Sequence, residues 1–311
     1  MKDKIIAVCG PTASGKTSVS IELAKILGAE IISADSMQIY KELNIGTAKP
    51  AKNEMAGIPH HLIDILSVAD GGFCVAEYVK MAGECILDIK NRGKNAVVCG
   101  GTGLYLDHFL NNTQFTEYEN DTEYRKQLES LSNEELYSML KKTDFKSFEN
   151  IHKNNKKRII RALEIFKITG KTKSELDGQA ASAKPKYDHI KFVFEFSNRE
   201  ALYLRINLRV DQMIKNGLPE EARGLYEKGL KEPVKKIGAI GYFEFMDHFD
   251  GLYTFEQTVE KIKQHTRNYA KRQITWFKKD PEAVRIHIDP SEDYINNYSK
   301  IIKNCLNYIK S

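Results

Sequence analysis

Gly10-Pro11-Thr12-Ala13-Ser14-Gly15-Lys16-Thr17 is the stretch that decides how this chain folds. It is a full-length phosphate loop, and it stands after an apolar strand pattern and before a helix, as such a loop must. The strand is Ile5-Ile6-Ala7-Val8-Cys9, and Gly10-Pro11 breaks it. Val19, Leu23, Ile26 and Leu27 then recur at helical spacing, with Gly28 placed to end the helix. Gly10 and Gly15 let the backbone curl around an anion, and the helix amino terminus reinforces the N–H groups it presents. Lys16 adds a point charge, and the Thr17 hydroxyl is the expected ligand of a magnesium ion. The whole run from Gly10 to Thr17 is expected to hold a diphosphate or triphosphate ester.

Outward from this loop, strand and helix signals alternate. A second strand, Glu30 to Ala34, delivers Asp35 and Ser36 at its carboxyl end, beside the strand of the phosphate loop. His61 to Leu66 and Asn95 to Cys99 have strand patterns, with a helical pattern from Cys74 to Ile89 between them. The expected fold is α/β, a P-loop NTPase-like parallel sheet flanked by helices, with ligands outside the carboxyl ends of its strands. From about Tyr118 to Gly178 the strand signal vanishes and helical stretches replace it: Glu123 to Leu131, Glu134 to Lys142 and Lys156 to Thr169. This is a helical insertion, residues 118–185, closed by the stretch from Gly178 to Pro185. Residues 1–117 and 186–311 form the core, with a strand at Phe192 to Phe196, a helix from Phe255 to Phe277, a last strand at Val284 to Ile288 and a final helix from Asp293 to Ile309.

The 311 residues suffice for a full core plus a smaller domain, and the apolar content of 41% fits a soluble protein. No apolar run reaches the length of a membrane span, and Met1-Lys2-Asp3-Lys4 leads into a strand without a secretory leader. Cys9, Cys74, Cys85, Cys99 and Cys305 show no CxxC pairing and no zinc-ligand spacing, so a reduced, cytoplasmic protein is expected. The net charge of +5 is unevenly spread. Lys153, Lys156, Lys157, Arg158, Arg161, Lys167, Lys171 and Lys173 face one acid, Glu164, in their stretch. Lys261, Lys263, Arg267, Lys271, Arg272, Lys278 and Lys279 face none. Either run alone could be a solvated helix face. Two of them, in a chain with 42 Asp and Glu residues, point to a polyanionic partner.

A hydrolysing ATPase needs an apolar strand ending in Asp to hold magnesium and place water. Ala96-Val97-Val98-Cys99 ends instead in Gly100-Gly101-Thr102. Group transfer from a bound phosphate ester to a second substrate remains, whether to RNA or to a small molecule. Asp35 is the candidate to act on that second substrate, with capping of the next turn as its competing role.

Ser33-Ala34-Asp35-Ser36-Met37-Gln38-Ile39-Tyr40, Ile45-Gly46-Thr47-Ala48-Lys49-Pro50 and Pro59-His60-His61-Leu62-Ile63-Asp64 follow the phosphate loop in order. Gly100-Gly101-Thr102-Gly103-Leu104-Tyr105 and Thr266-Arg267-Asn268-Tyr269-Ala270-Lys271-Arg272-Gln273-Ile274-Thr275-Trp276-Phe277 complete the series. Together they span nearly the whole chain, and it resembles the bacterial tRNA dimethylallyltransferases. The resemblance implies that the loop holds the pyrophosphate of dimethylallyl diphosphate, with Mg2+ as cofactor, and that the five-carbon group passes to N6 of adenosine 37 of tRNA. It implies Asp35 as the base, and Asp35, Ser36, Met37, Gln38 and Thr102 as contacts to the target nucleotide. Arg209 is implied on the diphosphate, with Arg205 as the alternative. Arg125 and Lys157-Arg158-Ile159-Ile160-Arg161 match segments that grip the anticodon loop. Lys271, Arg272 and Gln273 match a further contact region, and Trp276 belongs either there or in the core. A monomer is expected.

The chain departs from that pattern in two places. Asn154-Asn155-Lys156-Lys157 stands where the family has Asn-Asp followed by Arg, and Gly241-Tyr242-Phe243-Glu244 where it has Gly-Tyr-Lys-Glu. No zinc-finger spacing closes the chain, and His60-His61, without a third ligand nearby, is expected to be structural.

Overall fold

In the computed structural model, Ile5–Cys9 (β1) is buried at every position, the signature of a strand covered on both faces. The structure describes residues 4–111, 121–182, 185–289 and 294–310. The expected domain boundary at 117/118, residues 183–184 of the closing stretch, residue 293 at the start of the final helix and residues 1–3 lie outside them. The chain divides into two compact units, Met1–Leu110 with Tyr187–Ser311, and Asn111–Lys186. Among the described residues no helix is long and apolar enough to cross a membrane.

In the first unit, β1 leads to Lys16–Leu27 (α1), Ala29–Ser33 (β2), His60–His61 (β3), Val75–Asn91 (α2), Asn95–Gly100 (β4) and Gly103–Leu110 (α3). The second unit holds Thr122–Ser130 (α4), Asn133–Thr143 (α5), Phe145–Asn150 (α6), Lys156–Thr169 (α7) and Lys173–Ser182 (α8). The first then resumes with His189–Phe196 (β5), Arg199–Lys215 (α9), Leu218–Glu227 (α10), Lys231–Ile237 (α11), Phe243–Phe249 (α12), Phe255–Phe277 (α13), Val284–Ile288 (β6) and Tyr294–Lys310 (α14).

The sheet is parallel throughout, in the order β3-β2-β4-β1-β5-β6. Alternation along β1 sends Ile5, Ala7 and Cys9 to a core with α2 and α3, and Ile6 and Val8 to a core with α1 and α14. A third core joins Ile39, Tyr40 and Leu43 to α9, α10, α12 and α13. The second unit has its own core of Leu128, Leu136, Leu140, Ile159, Ile160 and Leu163.

Two expectations need correction. The strand expected from His61 to Leu66 is only His60–His61, because Leu62 and Asp64 take left-handed backbone angles, φ 60° and 59°. The chain turns there so that the Ile65 amide donates to the Ile39 carbonyl and Asp64 pairs with Lys49. Asp35 also does not end the strand next to the phosphate-loop strand. β4 lies between β1 and β2, and Gly100 lets it in: a Cβ there would run into the Ala34 backbone.

Glu30 on β2 is buried and receives the Arg92 guanidinium and His61 Nε2 (2.7 Å), which ties the sheet edge to the end of α2. The Arg92 hydrogen bond, opposed by burial and aided by His61, holds this carboxyl down at about 2. A depressed carboxylate stabilises the fold above its unfolded value and stops doing so as pH falls from about 4.5 towards 2. Glu30→Gln is expected to cost about 2–4 kcal/mol at pH 7 and to flatten the loss of stability over that acid window. Urea melts of both proteins at pH 7, 4 and 3 check this.

Candidate functional site

The phosphate loop is held by its neighbours before any ligand arrives. Gly10 turns at φ +140°, with the Phe194 carbonyl oxygen 2.8 Å from where a Cβ would stand, so only glycine fits between β1 and β5. Ala13 takes φ +62° and is buried against Leu202, Ile206 and Ala270 of α9 and α13. Arg205 Nε donates to the Ala13 carbonyl at 3.1 Å. Gly15 caps α1, whose first turn carries no acid to repel an anion. Lys16 Nζ turns back onto the Pro11 carbonyl at 2.6 Å. Burial pushes the Lys16 ammonium down to about 8, and the Arg209 charge adds to the effect. Burial likewise lowers Arg209, against the attraction of Asp35. Two half-buried cations that feel each other's charge make a site that favours an anion.

Three strand ends are then joined by side chains. Gln273 on α13 accepts from the Thr12 amide at 2.8 Å and donates to the Gly101 carbonyl at 2.9 Å, linking the loop after β1 to the turn after β4. Thr102 Oγ1 accepts from the Ser36 amide at 3.1 Å, and its own amide donates to the Ala34 carbonyl, linking that turn to the end of β2. Beyond the turn, Asp35 Oδ1 accepts from the amides of Met37 (2.8 Å) and Gln38 (3.3 Å). Gln38 receives the Ser33 hydroxyl and donates to the Thr47 and Ala48 carbonyls.

Thr12, Asp35, Ser36, Met37 and Arg209 line one cavity of about 180 Å³. Its polar end is formed by these groups and Arg272, and its apolar wall by Ile206, Val210, Met213, Ile240 and Ile262. Ser14, Gly15, Lys16 and Thr17 line an adjoining groove that Arg209 also borders. Arg209 thus stands where a diphosphate on the loop would meet a group in the cavity. Arg205, the alternative, is occupied with the Ala13 carbonyl and the Phe196 ring. Among the described residues no group of three or more His, Cys, Asp and Glu side chains could hold a metal by itself. His60 Nδ1 meets the Ile58 carbonyl, and His61 meets Glu30.

The expected RNA-contact residues divide into two kinds. Lys271 and Arg272 are exposed, stacked over Tyr203 and Tyr269. Gln273 is buried, and both ends of its amide are used, so it holds the site together and is not a surface contact. In the second unit Lys157, Arg158 and Arg161 are exposed on α7, whereas Ile159 and Ile160 are core. A helix cannot present five consecutive residues to one partner, and the apolar pair faces inward. Arg125 is paired with Glu129 and Glu164, both at 3.1 Å. The two departures acquire structural roles: Lys156 Nζ caps the end of α4 at the Glu129 and Leu131 carbonyls, and the Phe243 ring packs on His265. Trp276 is part-exposed, with its indole N–H donating to Asp107 at 2.6 Å.

Tyr269 and Met213 had no sequence-level role. Burial pushes the Tyr269 hydroxyl up, an effect that neighbouring Thr102 and Gln273 oppose. It lies within the Thr266 to Phe277 run, so the motif contained it. Met213 follows Ile206 and Val210 at helical spacing, a pattern that cannot distinguish a packed face from a cavity wall.

The sequence from 38 to 280 matches the family model described as IPP transferase. The tRNA dimethylallyltransferase of Anoxybacillus flavithermus is 45% identical over 311 residues, covering 100% of this chain and 97% of that one. A tRNA isopentenylpyrophosphate transferase structure from Bacillus halodurans superposes with a TM-score of 0.73 at 38% identity, over 99% of this chain and 97% of that one. A eukaryotic dimethylallyltransferase acting on tRNA superposes at 0.86 with 29% identity, over 99% of this chain and 80% of that one.

Above pH 8 a diphosphate settling on the loop must restore the proton that Lys16 has lost. Affinity for an organic diphosphate is therefore expected to be flat below pH 8 and to fall by up to about tenfold per unit above it. Lys16→Met should bind more weakly at pH 7 and lose that slope. Calorimetric titrations from pH 6.5 to 9.5 check both.

Proposed function

The chain belongs to the IPP transferase family, and on that premise we propose that it transfers a dimethylallyl group from dimethylallyl diphosphate to N6 of adenosine 37 of tRNA, releasing pyrophosphate. One observation supports this above the others: Thr12 of the phosphate loop and Asp35 line one small cavity with an apolar wall, and Arg209 borders both it and the groove lined by Ser14, Gly15, Lys16 and Thr17. Burying five carbons contributes only about 4 kcal/mol, roughly millimolar binding, so the diphosphate must anchor the donor.

The reaction breaks the allylic C1–O bond, and the bonding pair leaves with the pyrophosphate. The loop amides, Lys16 and Arg209 stand where that negative charge grows. The adenosine N6 forms the new bond to C1, and the alkylated amine, a strong acid, gives its proton to Asp35. Asp35 can hold its turn and act as base at once. Oδ1 accepts from Met37 and Gln38, and Oδ2 is left for the incoming amine. Thr102, by fixing Ser36, sets the position of that carboxylate.

Mg2+ would be held by the Thr17 hydroxyl together with donor phosphate oxygens and water, a donor set that suits a small hard cation. When bound, it supplies further charge to the leaving group. Lys157, Arg158 and Arg161, with Arg125 at their edge, would grip the anticodon loop, and Lys271 and Arg272 the RNA near the cavity. Single-stranded loops are read with their bases unstacked, and adenosine must leave the stack to reach Asp35. The protein would act as a monomer in the cytoplasm.

Asp35→Asn keeps an acceptor for the turn but takes no proton. It is expected to lower kcat by about 10²–10⁴-fold with donor affinity and melting temperature unchanged. Single-turnover assays with tRNA check this, and near-normal turnover would leave Asp35 with the turn alone.

A further inference from the structure

We propose that Met213 is the partition that sets the length of the allylic group this chain accepts, a proposal that rests on the transfer reaction above. The cavity bearing Asp35 holds about 180 Å³, below the range of about 300 Å³ upward typical of sites for larger ligands. Beyond it lies a groove of about 770 Å³, bordered by the segment from Asn44 to Asp64 and by α9. Among the described residues only two line both spaces, Arg209 and Met213. Arg209 is committed to the anionic end by its charge and by the attraction of Asp35. The other is Met213, which is 9% exposed and stands beside the 45–48 segment, whose Gly46 and Thr47 line the cavity and whose Ile45 and Ala48 line the groove.

The direction of the tail follows from the lining. Thr12, Asp35 and Arg209 mark the end where C1 must lie, next to the groove that would hold the diphosphate. A tail pointing away from them runs along Ile206, Val210 and Met213, which lie on one face of α9 over about 10 Å of helix. The dimethylallyl group ends before Met213. A donor longer by one isoprene unit meets the thioether, an unbranched chain that fills the gap between cavity and groove. Shortening that side chain to a methyl group joins the two spaces and gives the longer tail somewhere to go. The bonds made and broken are unchanged: C1–O breaks towards pyrophosphate, N6–C1 forms, and the proton passes to Asp35.

The test supplies dimethylallyl diphosphate and geranyl diphosphate together with tRNA, and reads the two N6-alkylated adenosines by mass spectrometry. Met213→Ala is expected to raise the geranyl-to-dimethylallyl ratio by at least about tenfold over the wild type. Met213→Leu, which keeps the volume, should leave the ratio where it was. An unchanged ratio in Met213→Ala overturns the proposal. If Met213→Ala transfers neither group, Met213→Val decides by the same ratio. Failure of the wild type to transfer a dimethylallyl group would instead overturn the transferase reading itself.

Discussion

The site depends on one amide. Gln273 holds the Thr12 N–H with its oxygen and the Gly101 carbonyl with its nitrogen, so a helix from late in the chain sets the distance between two strand ends. Thr102 continues the link to Ser36, and the phosphate loop and Asp35 become two walls of one cavity. Neither wall is positioned by its own element alone. β1 and β2 are not neighbours in the sheet, and β4 with its glycine turn lies between them. A buried amide that uses both ends is well suited to this work, because leaving either partner unpaired would cost about 1–3 kcal/mol.

Against this rigid frame the charges are deliberately unsettled. Lys16 and Arg209 are half-buried and feel each other's charge, and Lys16 Nζ donates to the Pro11 carbonyl. A bound diphosphate relieves both, and its departure with a full bonding pair increases the negative charge they face. Groups fixed in advance and poorly solvated stabilise such a change without reorganising. The apolar half of the cavity has a smaller share of the affinity and a larger share of the selectivity. It admits a group by shape, and Met213 limits how long that group can be.

Much of this was legible in the sequence, and the failures have physical causes. The phosphate loop was legible because its glycines, lysine and threonine sit at fixed spacing between a strand and a helix. The long helix Phe255–Phe277 was legible in outline from its continuous pattern, and the structure closes its start with a capping box of Thr254 and Gln257. The strand from His61 to Leu66 was not, since nothing in Leu62 or Asp64 announces a left-handed backbone. The order of β4 and β2 was hidden for another reason: pairing is decided by long-range packing at Gly100, not by local pattern. Gln273 lay in a run of cations and so looked solvent-facing. Ile159 and Ile160 were swept along with the basic residues around them, although their apolar pattern already assigned them to the core.

The central claim is that the phosphate loop cradles a leaving group and does not activate a phosphoryl group for transfer. Dimethylallyl diphosphate labelled with ¹⁸O at the bridging C1–O position tests it directly, with the products of reaction with tRNA read by mass spectrometry. Cleavage of the C–O bond places all of the label in pyrophosphate and leaves the prenylated adenosine unlabelled. Label retained on a five-carbon alcohol, with phosphate transferred elsewhere, would contradict the account.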